Sequence, residues 1–225
     1  MDRKSHWEQV YEHKAPTDVS WYQPRLNRSL ALIDQLDLNP DATILDIGGG
    51  ASTLVDDLLE RGFRDMTVVD LSGKALDASR NRLGKRACSV KWIEDDVTGL
   101  DLPPESIDLW HDRAVFHFLT DPRDRLSYRC LLARVLKPGG RAILATFGPE
   151  GPQSCSGLDV VRYSPETLAA ELGAGFRLIE AQTEDHETPW GKKQQFLYAL
   201  FRNLGEPPIR GAGAGAAGAQ ARNGV

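Results

Sequence analysis

The stretch Asp46-Ile47-Gly48-Gly49-Gly50 sets a carboxylate two residues before a run of glycines, directly after the apolar residues Thr43-Ile44-Leu45. This reads as a short strand breaking into a turn that lets a ligand approach the backbone closely, with a helix over Thr53–Glu60 behind it. About twenty residues on comes Val68-Val69-Asp70-Leu71-Ser72, a second short strand ending in an acid. Together these pieces make the nucleotide-binding arrangement of an open α/β sheet, in which the acid at the tip of strand two grips a pair of ribose hydroxyls.

Asp46 narrows the choice of nucleotide. A pyrophosphate held by turn N–H groups would be repelled by a carboxylate at this position, and the third glycine of a dinucleotide fingerprint is replaced by Thr53. The acid suits a cationic ligand instead, such as the ammonium and sulfonium of S-adenosylmethionine. Here the chain resembles the class I S-adenosylmethionine-dependent methyltransferases, whose first motif is acid-x-Gly-x-Gly. Asp46, Gly48 and Gly50 match that motif position for position, with Gly49 between.

The resemblance implies further roles. Asp70, followed by Leu71, corresponds to the acid that holds the ribose. Ile93-Glu94-Asp95-Asp96-Val97 is similar to the end of strand three, where Asp96 would meet the adenine amino group and Val97 would pack on the ring, with Asp95 as the register alternative. In such enzymes an N-terminal cap often closes over the cofactor, which makes Trp21 and Tyr22 lid candidates, although plain packing onto the domain explains them equally well.

His111-Asp112-Arg113 leaves strand four, and ligands of open sheets sit at the carboxyl ends of the strands, beside the transferring methyl. The Asp-Arg pair, with Arg125 and Tyr128 following, looks like the equivalent region of thiopurine S-methyltransferases; an Asp-Lys variant occurs in some protein lysine methyltransferases. The expected catalytic set is Asp112, Arg113 and His117, with His111 beside the cofactor. An internal ion pair is the competing reading of Asp112 and Arg113, and a packed histidine that of His117, which lies between Phe116 and Phe118. Cys155, in the long turn-rich stretch after strand five, is either a reactive thiol or a passive small residue.

The elements that must position these residues alternate along the chain, the pattern of a parallel sheet wrapped by helices. Strands are expected at Thr43–Ile47, Met66–Asp70, Val90–Glu94, Ile107–His111 and Arg141–Phe147, with an antiparallel pair at Phe176–Glu184 and Gln195–Arg202. Helices are expected at Ser5–Glu12, Pro24–Gln35, Ala51–Glu60, Gly73–Leu83 and Arg123–Leu136, and after the N-cap Ser164. Lys137-Pro138-Gly139-Gly140 should stop a helix and turn the chain into the next strand. The resemblance makes the fold Rossmann-like, with seven strands, mostly parallel. One domain is expected over residues 1–204, with a helical cap over 1–40 and a disordered Gly/Ala-rich appendage over 205–225.

The 225 residues carry a net charge of −5, which argues against a dedicated nucleic-acid binder. No apolar run approaches the roughly 20 residues of a membrane span, and three scattered cysteines fit a reducing cytoplasm without a metal site. The expected activity is methyl transfer from S-adenosylmethionine to a small-molecule acceptor, with a thiol among the candidates. A protein lysine acceptor is the neighbouring reading, and a nucleotide-binding protein or nicotinamide oxidoreductase the reading from another class.

Overall fold

A computed structural model describes residues 2–205. Its strands are β1 (Thr43–Ile47), β2 (Asp65–Asp70), β3 (Val90–Glu94), β4 (Ile107–Arg113), β5 (Leu136–Phe147), β6 (Ser154–Cys155), β7 (Leu158–Asp159), β8 (Phe176–Glu187) and β9 (Lys193–Asn203). Seven of them form one sheet in the order β3-β2-β1-β4-β5-β9-β8, with β1 to β5 parallel and β9 antiparallel to both its neighbours. The helices are α1 (Arg3–His13), α2 (Asn27–Asp34), α3 (Leu54–Glu60), α4 (Gly73–Leu83), α5 (Pro122–Val135) and α6 (Pro165–Leu172).

The chain winds outward from β1 to β3, then returns to lay β4 on the other side of β1. That reversal opens a crevice between the carboxyl ends of β1 and β4, where open α/β sheets bind ligands. Both faces of the sheet are covered, so the strands read as nearly continuous apolar runs. Leu45, Ile47, Trp110 and Leu144 face a core shared with Tyr128 and Leu132 of α5, whereas Ile44, Val68, Leu109 and Ile143 face a core shared with α2 and α3. In register, Asp46 stands opposite His111 and Ile47 opposite Asp112. Strand pleating therefore sends His111 and Arg113 to one face and Asp112 to the other.

The Lys137–Gly140 segment behaves differently from the expected turn. Helix α5 stops at Val135, and Leu136 already pairs with Ile107; pairing resumes at Leu109 with Arg141, so the four residues between bulge out of β5. Gly139, at a φ of +80°, supplies the left-handed residue this bulge needs. Helix α3 begins at Leu54 instead of Ala51, because Ser52 N–H donates to the Gly49 carbonyl (2.9 Å) and Leu54 N–H to Ser52 Oγ (3.1 Å), keeping Ala51–Thr53 in turns. Ser164 caps α6 as expected, exchanging hydrogen bonds with Thr167 in a capping box behind Pro165. The β6–β7 hairpin within the loop after β5 was not foreseen. The expected appendage at 205–225 lies, Gly205 apart, outside the described residues. Among those residues no helix is long and apolar enough to cross a membrane.

Candidate active site

A cleft of about 840 Å³ opens at the carboxyl ends of β1, β2 and β4. Its lining includes Gly48, Asp70, Leu71, Asp95, Asp96 and Val97, so the strand tips singled out by sequence do converge. A smaller adjoining pocket, about 490 Å³, is bounded by Asp46, Gly48, Gly49, Tyr22 and His111. Trp21 and Arg113 border both spaces.

The glycine turn is built for close approach. Gly48 sits at a φ of +68° and donates its N–H to the Val69 carbonyl at 2.7 Å, tying the turn to β2. A Cβ at Gly50 would lie 2.5 Å from both Asp70 Oδ2 and Ala75 Cβ, and one at Gly49 would collide with the Asp46 carboxylate. Asp70 accepts N–H groups from Gly50 (3.1 Å) and Ser72 (2.9 Å), one on each oxygen, which leaves a lone pair on each for a ligand. Burial pushes its carboxyl up to about 6 against those two donors. Asp46 is 4% exposed: Oδ1 meets His111 Nδ1 at 2.7 Å, His111 Nε2 meets Ser29 Oγ at 2.9 Å, and Asp46 Oδ2 is buried with no partner among the described residues. A buried, half-satisfied carboxylate beside a glycine cradle is chemically matched to a small cation. His111 thus orients Asp46 from behind. At the tip of β3, Asp96 Oδ1 accepts the backbone N–H and hydroxyl of Thr98 (2.8 and 2.7 Å), while Asp95 Oδ1 accepts the N–H of Asp96 (2.8 Å).

Helix α1 lies across this end of the cleft. Its Arg3 pairs with Asp96 (3.3 Å) and Asp124 (3.1 Å), Lys4 with Glu94 (2.6 Å) and Glu12 with Lys74 (2.9 Å). Glu8 accepts the Gly73 N–H at the start of α4 (2.6 Å). Trp7 packs edge-on against Trp21 and Phe118, with ring centroids 5.5 and 5.0 Å apart. Sequence reading missed Arg3, Glu8, Trp7 and Tyr11. The spacing of Trp7 and Tyr11, one helical turn apart, was the available signal.

The expected catalytic trio separates. Asp112 is fully buried on the α5 face: it accepts Tyr128 Oη at 2.6 Å and the N–H groups of Val115 (2.9 Å) and Phe116 (3.1 Å), and it borders neither space. It holds the turn that follows β4, and it makes no ion pair with Arg113, which pleating directs to the opposite face. The same holds for Arg125 and Tyr128, the first paired with Glu171 (3.2 Å) and the second, bonded to Trp110 (2.8 Å), locked on Asp112. Burial pushes the Asp112 carboxyl up to about 6.

Arg113 and His117 stay in the cleft. Arg113 donates Nε to Tyr198 Oη (3.0 Å) and Nη1 to the Trp21 carbonyl (2.8 Å), and its guanidinium lies 4.8 Å from the Phe196 ring centre. Nη2 is buried with no partner among the described residues. His117 is fully buried, and its Nδ1 accepts the Phe147 N–H at 3.1 Å, so the ring proton sits on Nε2, likewise without a partner. Burial, reinforced by the Arg113 charge, pushes this imidazole down to about 3. It is a neutral donor and not a base. Burial also pushes the Cys155 thiol up, away from the reactive thiolate. Among the described residues no group of three or more His, Cys, Asp or Glu could hold a metal ion.

Residues 44–140, which carry the glycine turn and the acids of β2 and β3, match the family model of the methyltransferase domain. The chain carries a methyltransferase domain and is an S-adenosylmethionine-dependent methyltransferase. Its cofactor is S-adenosylmethionine, and the cradle, the half-satisfied Asp46 and the open lone pairs of Asp70 fit that molecule. This methyltransferase is 25% identical to human EEF1A lysine methyltransferase 2 over 194 residues, 80% of this chain and 76% of that protein. It is 30% identical to the malonyl-[acyl-carrier protein] O-methyltransferase of Paenibacillus sp. (strain JDR-2) over 177 residues, spanning 70% of this chain and 63% of that one. The Burkholderia thailandensis 1,6-didemethyltoxoflavin-N1-methyltransferase, solved with 1,6-didemethyltoxoflavin and S-adenosylhomocysteine, shares its fold at a TM-score of 0.68 and 22% identity, covering 89% of this chain and 86% of that chain.

Proposed function

We propose that this methyltransferase transfers the methyl group to a small-molecule acceptor, and that its cofactor is held by the residues at the tips of β1, β2 and β3. When bound, S-adenosylmethionine supplies a methyl group on a positively charged sulfur. Asp46 Oδ2 receives the cofactor's ammonium, oriented by the His111–Ser29 chain, while Gly48, Gly49 and Gly50 let the backbone reach it. Asp70 receives the ribose hydroxyls on its two open lone pairs. Asp95 and Asp96 flank the adenine amino group, and Leu71 and Val97 supply apolar contact to the ring. Trp21 and Tyr22, with α1, cover the cofactor and exclude water.

The observation that carries the small-molecule reading is the aromatic lining of the cleft by Trp7, Trp21, Phe118, Phe147 and Phe196. An in-line displacement needs a close, aligned nucleophile above all, so an enclosing wall contributes directly to catalysis. Among the described residues no group beside these rings serves as a base: Asp112 is behind the strand, His117 carries its proton on Nε2, and Cys155 is held as a thiol. The acceptor atom therefore arrives deprotonated or is neutral with a free lone pair. Similarity to a lysine methyltransferase over most of both chains favours a second reading, a protein lysine acceptor. The cationic Arg113 in the same cleft weighs against an ammonium substrate. Incubating the protein with methyl-labelled cofactor and a cell extract split by size tests the choice. Label in the small-molecule fraction is expected; label confined to protein overturns it.

A further inference from the structure

Two of the side chains that line the cleft each carry a buried hydrogen-bond donor without a partner among the described residues. His117 is fully buried, and because its Nδ1 accepts the Phe147 N–H, Nε2 can only donate. Arg113 presents Nη2, buried and unbonded, while Nε and Nη1 are spent on Tyr198 and Trp21. The two side chains share one aromatic floor. The His117 ring lies 4.5 Å from Phe147, Phe147 lies 4.9 Å from Phe196, and the Arg113 guanidinium stands 4.8 Å over Phe196.

The charge around this floor is also one-sided. No carboxylate lies within ion-pair distance of Arg113 among the described residues, and the acids that line the cleft belong to the adenosine end. A part-buried cation with only neutral partners is poorly compensated. An unbonded N–H at a fully buried ring adds the cost of an unmade hydrogen bond. A planar oxygen anion relieves both, since guanidinium and imidazole N–H groups make their shortest bonds to such oxygens. A thiolate satisfies directed N–H donors less well, and an ammonium not at all.

We propose that the acceptor carries a carboxylate, held between Arg113 Nη2 and His117 Nε2, with an apolar body resting on Phe118, Phe147 and Phe196. This rests on the small-molecule reading above and supplies the chemical class it left open. The two residues anchor and orient the acceptor; neither moves a proton.

The test uses the full chain saturated with S-adenosylhomocysteine and reads tryptophan fluorescence, since Trp7 and Trp21 border the cleft. Three probes of one shape are titrated: 3-phenylpropionate, its primary amide and 3-phenylpropylamine. The carboxylate should bind at least about tenfold more tightly than the amide, the scale of one charge-assisted hydrogen bond over a neutral one, and the amine should bind weakest. Arg113→Met should abolish the preference for carboxylate over amide, and His117→Phe should reduce it. Binding of S-adenosylhomocysteine should stay unchanged in His117→Phe and weaken at most a few-fold in Arg113→Met, which also frees the Trp21 carbonyl. The wild-type comparison stands by itself if either variant fails to fold. Equal binding of carboxylate and amide, preference for the amine, or no binding of the carboxylate overturns the proposal. So does loss of S-adenosylhomocysteine binding in a folded Arg113→Met protein, which would assign the guanidinium to the cofactor's own carboxylate. Failure of the wild type to bind S-adenosylhomocysteine would instead sink the cofactor assignment beneath it.

Discussion

The two ends of the cleft are built in opposite ways. At the end proposed for the adenosine, Asp70, Asp95 and Asp96 are carboxylates held by N–H groups one or two residues away, or by the neighbouring glycine turn. At the end proposed for the acceptor, Arg113 and His117 are donors held by Tyr198, Trp21 and Phe147, which come from distant parts of the chain. One end presents acceptors positioned by local turns; the other presents donors positioned by tertiary packing. A short segment carries enough information to recreate the first. The second exists only once the N-terminal segment, β4, β5 and β9 have assembled, so it can change its ligand while the first keeps its own.

The largest expected effect tests whether Asp112 belongs to the acceptor end at all. Asp112→Asn places an amide where three donors point, costing on the order of 3 kcal/mol of stability. Thermal unfolding should drop by several degrees, with cofactor affinity in the surviving folded protein nearly intact. A stable variant with lost turnover would return Asp112 to the catalytic set. At the adenosine end, Gly50→Ala drives a methyl into the Asp70 carboxylate and should weaken cofactor binding about a hundredfold, the scale of one strong charge-assisted hydrogen bond. Asp70→Ala removes the acceptor outright and should cost about ten- to a hundred-fold by calorimetry; unchanged affinity would move the ribose contact elsewhere.

A smaller effect follows from the Asp70 carboxyl being pushed up to about 6. Ribose hydroxyls donate to the ionised form, so binding favours loss of that proton. Cofactor affinity should be level above pH 7 and fall as pH drops below about 6, a slope that Asp70→Ala should remove. For folding the sign is the reverse: burial favours the neutral acid, so the stability Asp70 contributes is full below the unfolded value near 4 and is lost as pH rises through about 6. The smallest effect belongs to α1. Its ion pairs are largely exposed, each worth under about 1 kcal/mol, so Arg3→Ala should weaken cofactor binding only a few-fold, and the difference should shrink at high salt.

Which strand-tip residues line the cleft was legible because the deciding features are short-range. The glycine turn, the acids at the tips of β2 and β3 and the alternation of elements all follow from local conformation and from short apolar runs bounded by turns. The Lys137–Gly140 segment was misread as a turn because proline and glycine announce a break without saying whether the sheet continues around it. Only the pairing of Leu136 with Ile107 shows that it does.

By itself the sequence determined the fold class, the glycine cradle and the carboxylates that face it, because those depend on backbone freedom and on contacts within a few residues. Tertiary structure decided the rest. Asp112 and Arg113 are neighbours in the chain, yet the pleat of β4 sends one into the α5 layer and the other into the cleft. His117 became a neutral donor through a single N–H from Phe147, and among the described residues no acid from any other element reaches Arg113. Those outcomes depend on which distant groups meet a side chain and how much water they exclude, and neither is written in the spacing of residues along the chain.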